Sequence, residues 1–214
     1  MGRSSAELRV CGIALWGEGG NKVSVPFLGY CLVGMRLFCI LLPLFAFAAG
    51  PEYSADGHLK FPETYREWVF LSSGLGMTYG TPDPNQTQRF DNVFVNPEAY
   101  REFLKTGRWP DKSVFVLEIR NAEDHVSINQ AGKTQGAVSA VEVEVKDSKA
   151  KTGLWTFFDF PAGPGSTAKA IPADARCYQC HGKNTAVENT FVQFYPNLIE
   201  VARKKGTLKP EFAK

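Results

Sequence analysis

Apolar and polar residues alternate along two long segments of the chain, and this period of two predicts β-strands. Residues 113–120 and 137–146 show the pattern most clearly, and in the second segment valines alternate with Glu142 and Glu144. Shorter runs rich in β-branched and aromatic residues predict three further strands, at 68–71, 90–95 and 154–160.

Two other segments carry helix signals at both of their ends. Asn96 is predicted to cap a helix that has Pro97 at its first position and Gly107 after its last residue. Residues 196–205 repeat this pattern and stop before Gly206. Spacing at three and four residues predicts the apolar face of the first helix: Tyr100, Phe103 and Leu104.

The remaining segments complete the order of elements. Residues 121–136 are polar and predict a loop, whereas residues 173–180 predict a short helix near the C-terminus. The order is therefore strand, helix, three strands and then helices. This order predicts an α+β fold, with a mainly antiparallel β-sheet flanked by helices.

The N-terminal region has the pattern of an export signal. Residues 23–49 are almost entirely apolar, and Met35-Arg36 opens a run that ends in Ala46-Phe47-Ala48. A positive start, an apolar core and an Ala-x-Ala end predict a signal peptide at 35–48, with residues 1–34 as upstream leader or mistranslated sequence. The folded domain is then 49–214, in the periplasm. The alternative is a transmembrane anchor, since about 20 apolar residues span a bilayer.

Composition excludes two broad classes of protein. Of the 214 residues, 44% are hydrophobic and 21% are charged, which is typical of a globular domain and not of a disordered chain. The formal net charge is +2, without the concentrated basic patch of a nucleic-acid binder.

The sequence Cys177-Tyr178-Gln179-Cys180-His181 is the attachment pattern for c-type haem. Two thiols on one helical turn reach the two vinyl groups on one edge of the porphyrin, and the adjacent imidazole binds the iron. The fold would thus carry the haem c motif on a C-terminal helical segment. A disulfide or a thioredoxin-like redox pair is the alternative, but no βαβ unit accompanies the motif. A structural zinc site would need a fourth ligand.

The sequence contains few candidates for a sixth iron ligand. An electron-carrying cytochrome usually has Met or His at that position, and no Met or His follows His181. The remaining candidates are Met77, His58 and His125, each of which has an ordinary interpretation as a packed or solvated residue. We therefore expect the distal side of the iron to be open or weakly occupied.

Five segments together resemble the cytochrome P-460 family, which includes the beta-type cytochromes c′. They are residues 65–69, 93–100, 146–149, 177–181 and 194–196. The resemblance implies a mainly antiparallel β fold, one five-coordinate c-type haem per chain with His181 on the iron, and usually a homodimer. It also implies hydroxylamine oxidation in the members with a lysine–haem cross-link, and binding of nitric oxide or carbon monoxide in the beta-type cytochromes c′.

One departure from the family pattern concerns that cross-link. The resemblance places the cross-linking position at Leu117, and no lysine lies on its strand, because Lys112 precedes the strand. The chain is therefore more similar to the ligand-binding branch of the family.

The candidate pocket residues come from the strands. Phe94 and Phe115 are predicted to wall an apolar distal pocket, together with Phe157, Phe158 and Phe160; the alternative is that they are ordinary core residues. Glu142 resembles the carboxylate that handles protons in enzymatic members of the family, and a carboxylate near a reacting N–H or O–H can act as a general base. The alternative is a solvated strand face that Glu142 shares with Glu144.

Three functional hypotheses follow. The first is a periplasmic haem protein that binds or detoxifies nitric oxide, and the second is an oxidoreductase that acts on hydroxylamine or peroxide with Glu142 as proton acceptor. The third is an electron carrier with Met77 or a histidine as sixth ligand. The expected partners are a small gaseous or nitrogenous ligand, a redox protein and a second copy of the chain, with membrane contact only through an uncleaved signal.

Overall fold

The computed structural model describes residues 50–81, 83–150 and 153–213. The predicted leader, 1–34, and the predicted signal peptide, 35–48, lie outside the described residues. Within those three ranges, none of the helices is both long and apolar enough to cross a membrane.

An antiparallel sheet forms the centre of the domain, and its strand order follows the chain order, β2-β3-β4-β5-β6. Each strand therefore pairs with the next along the chain. Two short strands, β1 and β7, form a separate antiparallel pair. The strands are β1 Leu59–Lys60, β2 Val69–Leu75, β3 Arg89–Val95, β4 Val114–Glu123, β5 Thr134–Lys146, β6 Trp155–Asp159 and β7 Thr167–Ala168. These pairings confirm the mainly antiparallel α+β fold.

The helices α1 Pro97–Thr106, α2 Arg176–Asn184 and α3 Pro196–Lys205 accompany the sheet. Short 3₁₀ turns occupy Tyr65–Glu67, Val192–Phe194 and Pro210–Phe212. α1 and α3 pack against each other. Both end at a glycine in the left-handed conformation, as the sequence predicts: φ is 69° at Gly107 and 67° at Gly206.

Two apolar clusters cover the two faces of the sheet. The first joins the sheet to the helices and is built around large side chains such as Phe103, Phe115, Trp155 and Leu198. The second joins the opposite face to the segment that contains β1 and the first 3₁₀ turn, and its centre includes Val143 and Phe160. Because alternate residues of a strand point to opposite faces, neighbouring positions of β4 and β5 contribute to different environments.

The register of the sheet aligns four residues of neighbouring strands. Val93 of β3 is paired with Leu117 of β4, Leu117 with Glu142 of β5, and Glu142 with Asp159 of β6. Directly paired residues of an antiparallel sheet project from the same face. The four side chains therefore form one row across the helix-side face.

Three local predictions differ from the structure. Asn96 makes no side-chain cap, because its Oδ1 accepts a hydrogen bond from the Val114 N–H at 2.8 Å and ties the start of α1 to β4. Leu104 is 41% exposed, and Ala99 joins Phe103 as the buried residues of α1.

The third difference concerns the segment 121–136. It was expected to be a loop, but β4 runs on to Glu123 and β5 starts at Thr134, and these two residues are paired. The hairpin extends beyond the apolar core, where backbone pairing needs no alternation of apolar side chains.

Candidate functional site

The Cys177–His181 segment lies on α2. Cys177, Cys180 and His181 are spaced at i, i+3 and i+4, so the helix brings all three to one face. That face borders a cavity of about 550 Å³ between α2 and the sheet, and all three residues line it. A volume of this size is within the usual range for ligand and cofactor pockets, about 300–1,000 Å³.

The two thiols have no disulfide between them, and both are half-buried at the cavity. Burial raises the pKa of Cys177, and the nearby Glu142 carboxylate acts in the same direction. Two free thiols and an imidazole on one helix face therefore meet the donor requirement of the haem group that the sequence predicts.

His181 is held in a defined orientation. Its Nδ1 lies 3.0 Å from the carbonyl oxygen of Asn189, and its ring makes edge contacts with Phe157 and Phe191 at centroid distances of 4.6 and 4.8 Å. A carbonyl oxygen only accepts, so the proton is on Nδ1 and Nε2 keeps its lone pair for a metal. Burial lowers the pKa of His181, which favours the neutral, metal-binding form.

Apolar side chains make up much of the sheet wall opposite α2. Leu117 and Val93 lie there, and Phe115 and Phe157 extend the apolar wall. No lysine is present among the residues that line the cavity within the described ranges. Leu117 thus lines the cavity at the position where the family resemblance expects a cross-linking lysine.

Glu142 also lines the cavity, so its strand face is the cavity wall. Glu142 is also exposed, which retains part of the solvated-face interpretation. Desolvation raises the pKa of Glu142, and the nearby carboxylates of Asp159 and Asp91 raise it further. A carboxyl group with a raised pKa is a candidate for proton transfer.

Glu144 was not among the predicted site residues. Its side chain is 12% exposed, and Oε2 lies 3.3 Å from His181 Nδ1, yet Oε2 is buried without a hydrogen bond. Burial raises the pKa of Glu144 to about 8, with a smaller contribution from Glu142. The signal was available, because Glu142 and Glu144 are two residues apart on one strand and share a face.

The prediction for Phe94 requires correction. Its side chain belongs to the cluster on the opposite face, where it packs edge-on against Tyr65 and Phe70. Val93 faces the cavity, so its neighbour Phe94 has to face away. Phe160 is on the opposite face as well, whereas Phe115 and Phe157 line the cavity. Phe158 borders the cavity, but it packs in the cluster on the opposite face.

Of the three candidates for a sixth ligand, the structure brings only Met77 to the cavity. Met77 is 36% exposed, and its sulfur packs on the backbone of Gly74, where an added Cβ would meet Sδ at 2.1 Å. His58 instead lies 3.0 Å from the Asp56 carboxylate near β1. His125 occupies a turn with φ of 55° in the β4–β5 connection.

The chain matches a family model. The model, described as cytochrome P460, matches residues 62–192, more than half of the 214 residues, and the match contains the five-stranded sheet and all three α2 site residues. A comparison with curated proteins found no match. The chain therefore belongs to the cytochrome P460 family, as its sequence motifs indicate, and the family supports a haem cofactor for the cavity.

Proposed function

We propose that this protein is an exported cytochrome that carries one covalently attached haem c and binds small neutral nitrogen ligands such as nitric oxide. One observation carries the proposal: Cys177, Cys180 and His181 meet on one wall of a cavity whose opposite wall is largely apolar. Cys177 and Cys180 would hold the haem through thioether bonds, and His181 would be the proximal iron ligand. When bound, haem iron supplies a coordination position for a small ligand on its other side.

The side chains around the cavity favour an uncharged ligand. Leu117 and Val93 give the sheet wall an apolar surface, and the Met77 sulfur packs on Gly74 beside them in the cavity lining. Asp91 and Glu142 add negative charge where ionised, and like charges repel anions such as nitrite. A neutral diatomic molecule avoids both this repulsion and the desolvation cost of a charged ligand.

We further infer that the protein works in the periplasm, as a homodimer, with a redox protein that supplies electrons to the iron. The export pattern at residues 35–48 supports the location. The resemblance to the beta-type cytochromes c′ supports the dimer. Light scattering on the purified haem protein would test the dimer independently of ligand binding.

The visible spectrum of the ferrous protein tests the main proposal. The protein would be made from Met35 in a host that attaches haem c, and measured before and after nitric oxide is added. We expect broad high-spin bands that change with the gas, and the same bands in Met77→Ala. Sharp low-spin bands that ignore the gas, and that Met77→Ala abolishes, would instead identify an electron carrier with Met77 on the iron.

A second candidate is oxidation of hydroxylamine or peroxide, and the raised pKa of Glu142 at the cavity favours it. Glu142 would accept a proton from the substrate N–H or O–H. In that case Glu142→Gln would lower turnover ~100-fold or more while nitric oxide binding persists. Glu200→Gln, at an exposed carboxylate that does not line the cavity, is the matched control. No turnover in the unmodified protein would exclude this activity.

A further inference from the structure

The Asn189 carbonyl, which accepts the hydrogen bond from His181 Nδ1–H, belongs to an unusual turn. Residues 187–190 form a tight reversal, in which the Thr190 N–H donates to the Val187 carbonyl at 2.7 Å. Both central residues have positive φ, 44° at Glu188 and 63° at Asn189. This is the pattern of a type I′ turn, in which Asn and Gly are the favoured residues.

Glu188 is a poor residue for such a turn. A side chain larger than Asn has no local hydrogen bond to offset the left-handed conformation, so the position costs free energy. Strained conformations persist where the surrounding structure determines them, and they often serve a site. Asn189, in contrast, tolerates its conformation.

The Glu188 carboxylate explains why the chain accepts this cost. Its Oε2 accepts a hydrogen bond from the Lys146 ammonium at 2.9 Å and another from the Trp109 N–H at 3.0 Å. Lys146 is 7% exposed and also donates to the Trp109 carbonyl. The indole N–H of Trp155 donates to the Glu188 carbonyl at 2.6 Å. The turn is thus fixed to the end of β5 by a mostly buried ion pair and to the start of β6 by the Trp155 hydrogen bond.

Among the described residues, the Asn189 carbonyl at 3.0 Å is the hydrogen-bond acceptor for His181 Nδ1. Glu144 Oε2 lies 3.3 Å from the same nitrogen but makes no hydrogen bond. The position of residue 189 therefore decides the orientation of the imidazole. An Nδ1–H hydrogen bond fixes the tautomer of a metal-bound histidine and strengthens it as a ligand.

We propose that Lys146 and Glu188 are positioning residues for the iron ligand. Their ion pair holds the Val187–Thr190 turn where the Asn189 carbonyl meets His181 Nδ1, and so sets how strongly His181 donates to iron. This inference rests on the proposed function, because it takes His181 as the proximal ligand. It concerns residues of β5 and the turn that do not line the cavity.

Glu188→Gly gives the sharpest test, because glycine accepts positive φ without strain but offers no carboxylate. The readouts are the iron–histidine stretching band in the resonance Raman spectrum of the ferrous protein and the reduction potential of the haem. We expect the band to move to lower frequency and the potential to rise, because a weaker hydrogen bond makes His181 a weaker donor. Glu200→Gln, at the exposed pair with Arg203, is the control and is expected to match the unmodified protein.

A second variant tests the same inference if Glu188→Gly fails to fold. Lys146→Met combined with Glu188→Gln removes the ion pair without leaving a buried charge alone, and it is expected to shift both readouts in the same directions. An unchanged band and potential in either folded variant would overturn the inference. An unmodified protein without haem bands would overturn the proposed function instead, so the two failures are distinguishable.

Discussion

Glu118 is a charged residue in the interior of the protein, on the sheet face that points away from the cavity. Its side chain is 3% exposed and accepts hydrogen bonds from Tyr65, Arg66 and Arg120. Burial acts to raise the pKa of Glu118, but the hydrogen bonds from Arg120, Tyr65 and Arg66 outweigh it and lower the pKa to about 2. The ionised form is thus strongly preferred in the folded protein.

This preference predicts a specific sensitivity to acid. The pKa of an unfolded Glu is about 4.3, so the stability that ionised Glu118 contributes is present above that pH and is lost as the pH falls towards about 2. Glu118→Gln is expected to lower the free energy of unfolding by about 2–3 kcal/mol at pH 7 and to reduce the loss between about pH 5 and pH 2. Urea unfolding at a series of pH values measures both effects.

The exposed glutamate of α1 supplies the control. Glu102 pairs with Lys105 on the helix surface, and Glu102→Gln is expected to change the free energy of unfolding at pH 7 by less than about 0.5 kcal/mol. If the free energy of unfolding fell equally with pH in the unmodified protein and in Glu118→Gln, the role assigned to Glu118 would be wrong.

At the scale of elements, α1 and α3 end in the same way but in different surroundings. Gly107 and Gly206 both have positive φ, which glycine adopts without cost. A Cβ on Gly107 would come within 2.8 Å of Lys205 at the end of α3, whereas one on Gly206 would meet nothing within 4 Å. The end of α1 therefore also serves as part of the α1–α3 contact.

Alanine substitutions at Gly206 and Gly107 therefore separate the cost of backbone strain from the cost of a packing clash. Gly206→Ala is expected to lower the free energy of unfolding by about 1–2 kcal/mol through the left-handed conformation alone. Gly107→Ala is expected to cost about 1 kcal/mol more, because α1 and α3 have to separate slightly. Urea unfolding midpoints compare the two variants directly. Equal losses would mean that the helix contact adjusts freely, contrary to our expectation.

At the scale of the whole molecule, the cavity is continuous with the helix-side core. Phe115, Phe157 and Tyr195 belong both to that core and to the cavity lining. A group that fills this cavity would remove its apolar wall from water, which is worth about 25 cal/mol per Å² of apolar surface, and would stabilise the fold. The cofactor would then act as part of the core as well as the site of ligand binding.

We therefore expect haem attachment to raise the midpoint of thermal unfolding by ~5 °C or more, since a change of ~2 kcal/mol produces a shift of this size in a chain of this length. The same sequence made with and without haem attachment gives the matched pair. The double variant Cys177→Ser/Cys180→Ser, made with attachment, should unfold like the haem-free chain. If all three preparations had the same midpoint of thermal unfolding, filling the cavity with haem would contribute nothing to stability.

Local patterns of the sequence determined much of the architecture. Alternation identified β5 because its valines pack in the apolar cluster whereas Glu142 and Glu144 face the cavity. Glycine identified the ends of α1 and α3 because only glycine accepts positive φ readily. The spacing from Cys177 to His181 predicted one shared helix face, since that relation is a property of any helix. The family assignment followed from the same local motifs.

The tertiary structure alone decided which side chains meet at the site. The carbonyl at residue 189 carries no sequence signal, because every residue has a carbonyl and only the turn aims this one at His181. The partnership of Lys146 with Glu188 joins residues 42 positions apart, and Phe94 was excluded from the cavity by the face that Val93 occupies. A sequence fixes periodicity and local conformation, whereas contacts between distant segments depend on how the sheet and helices pack together.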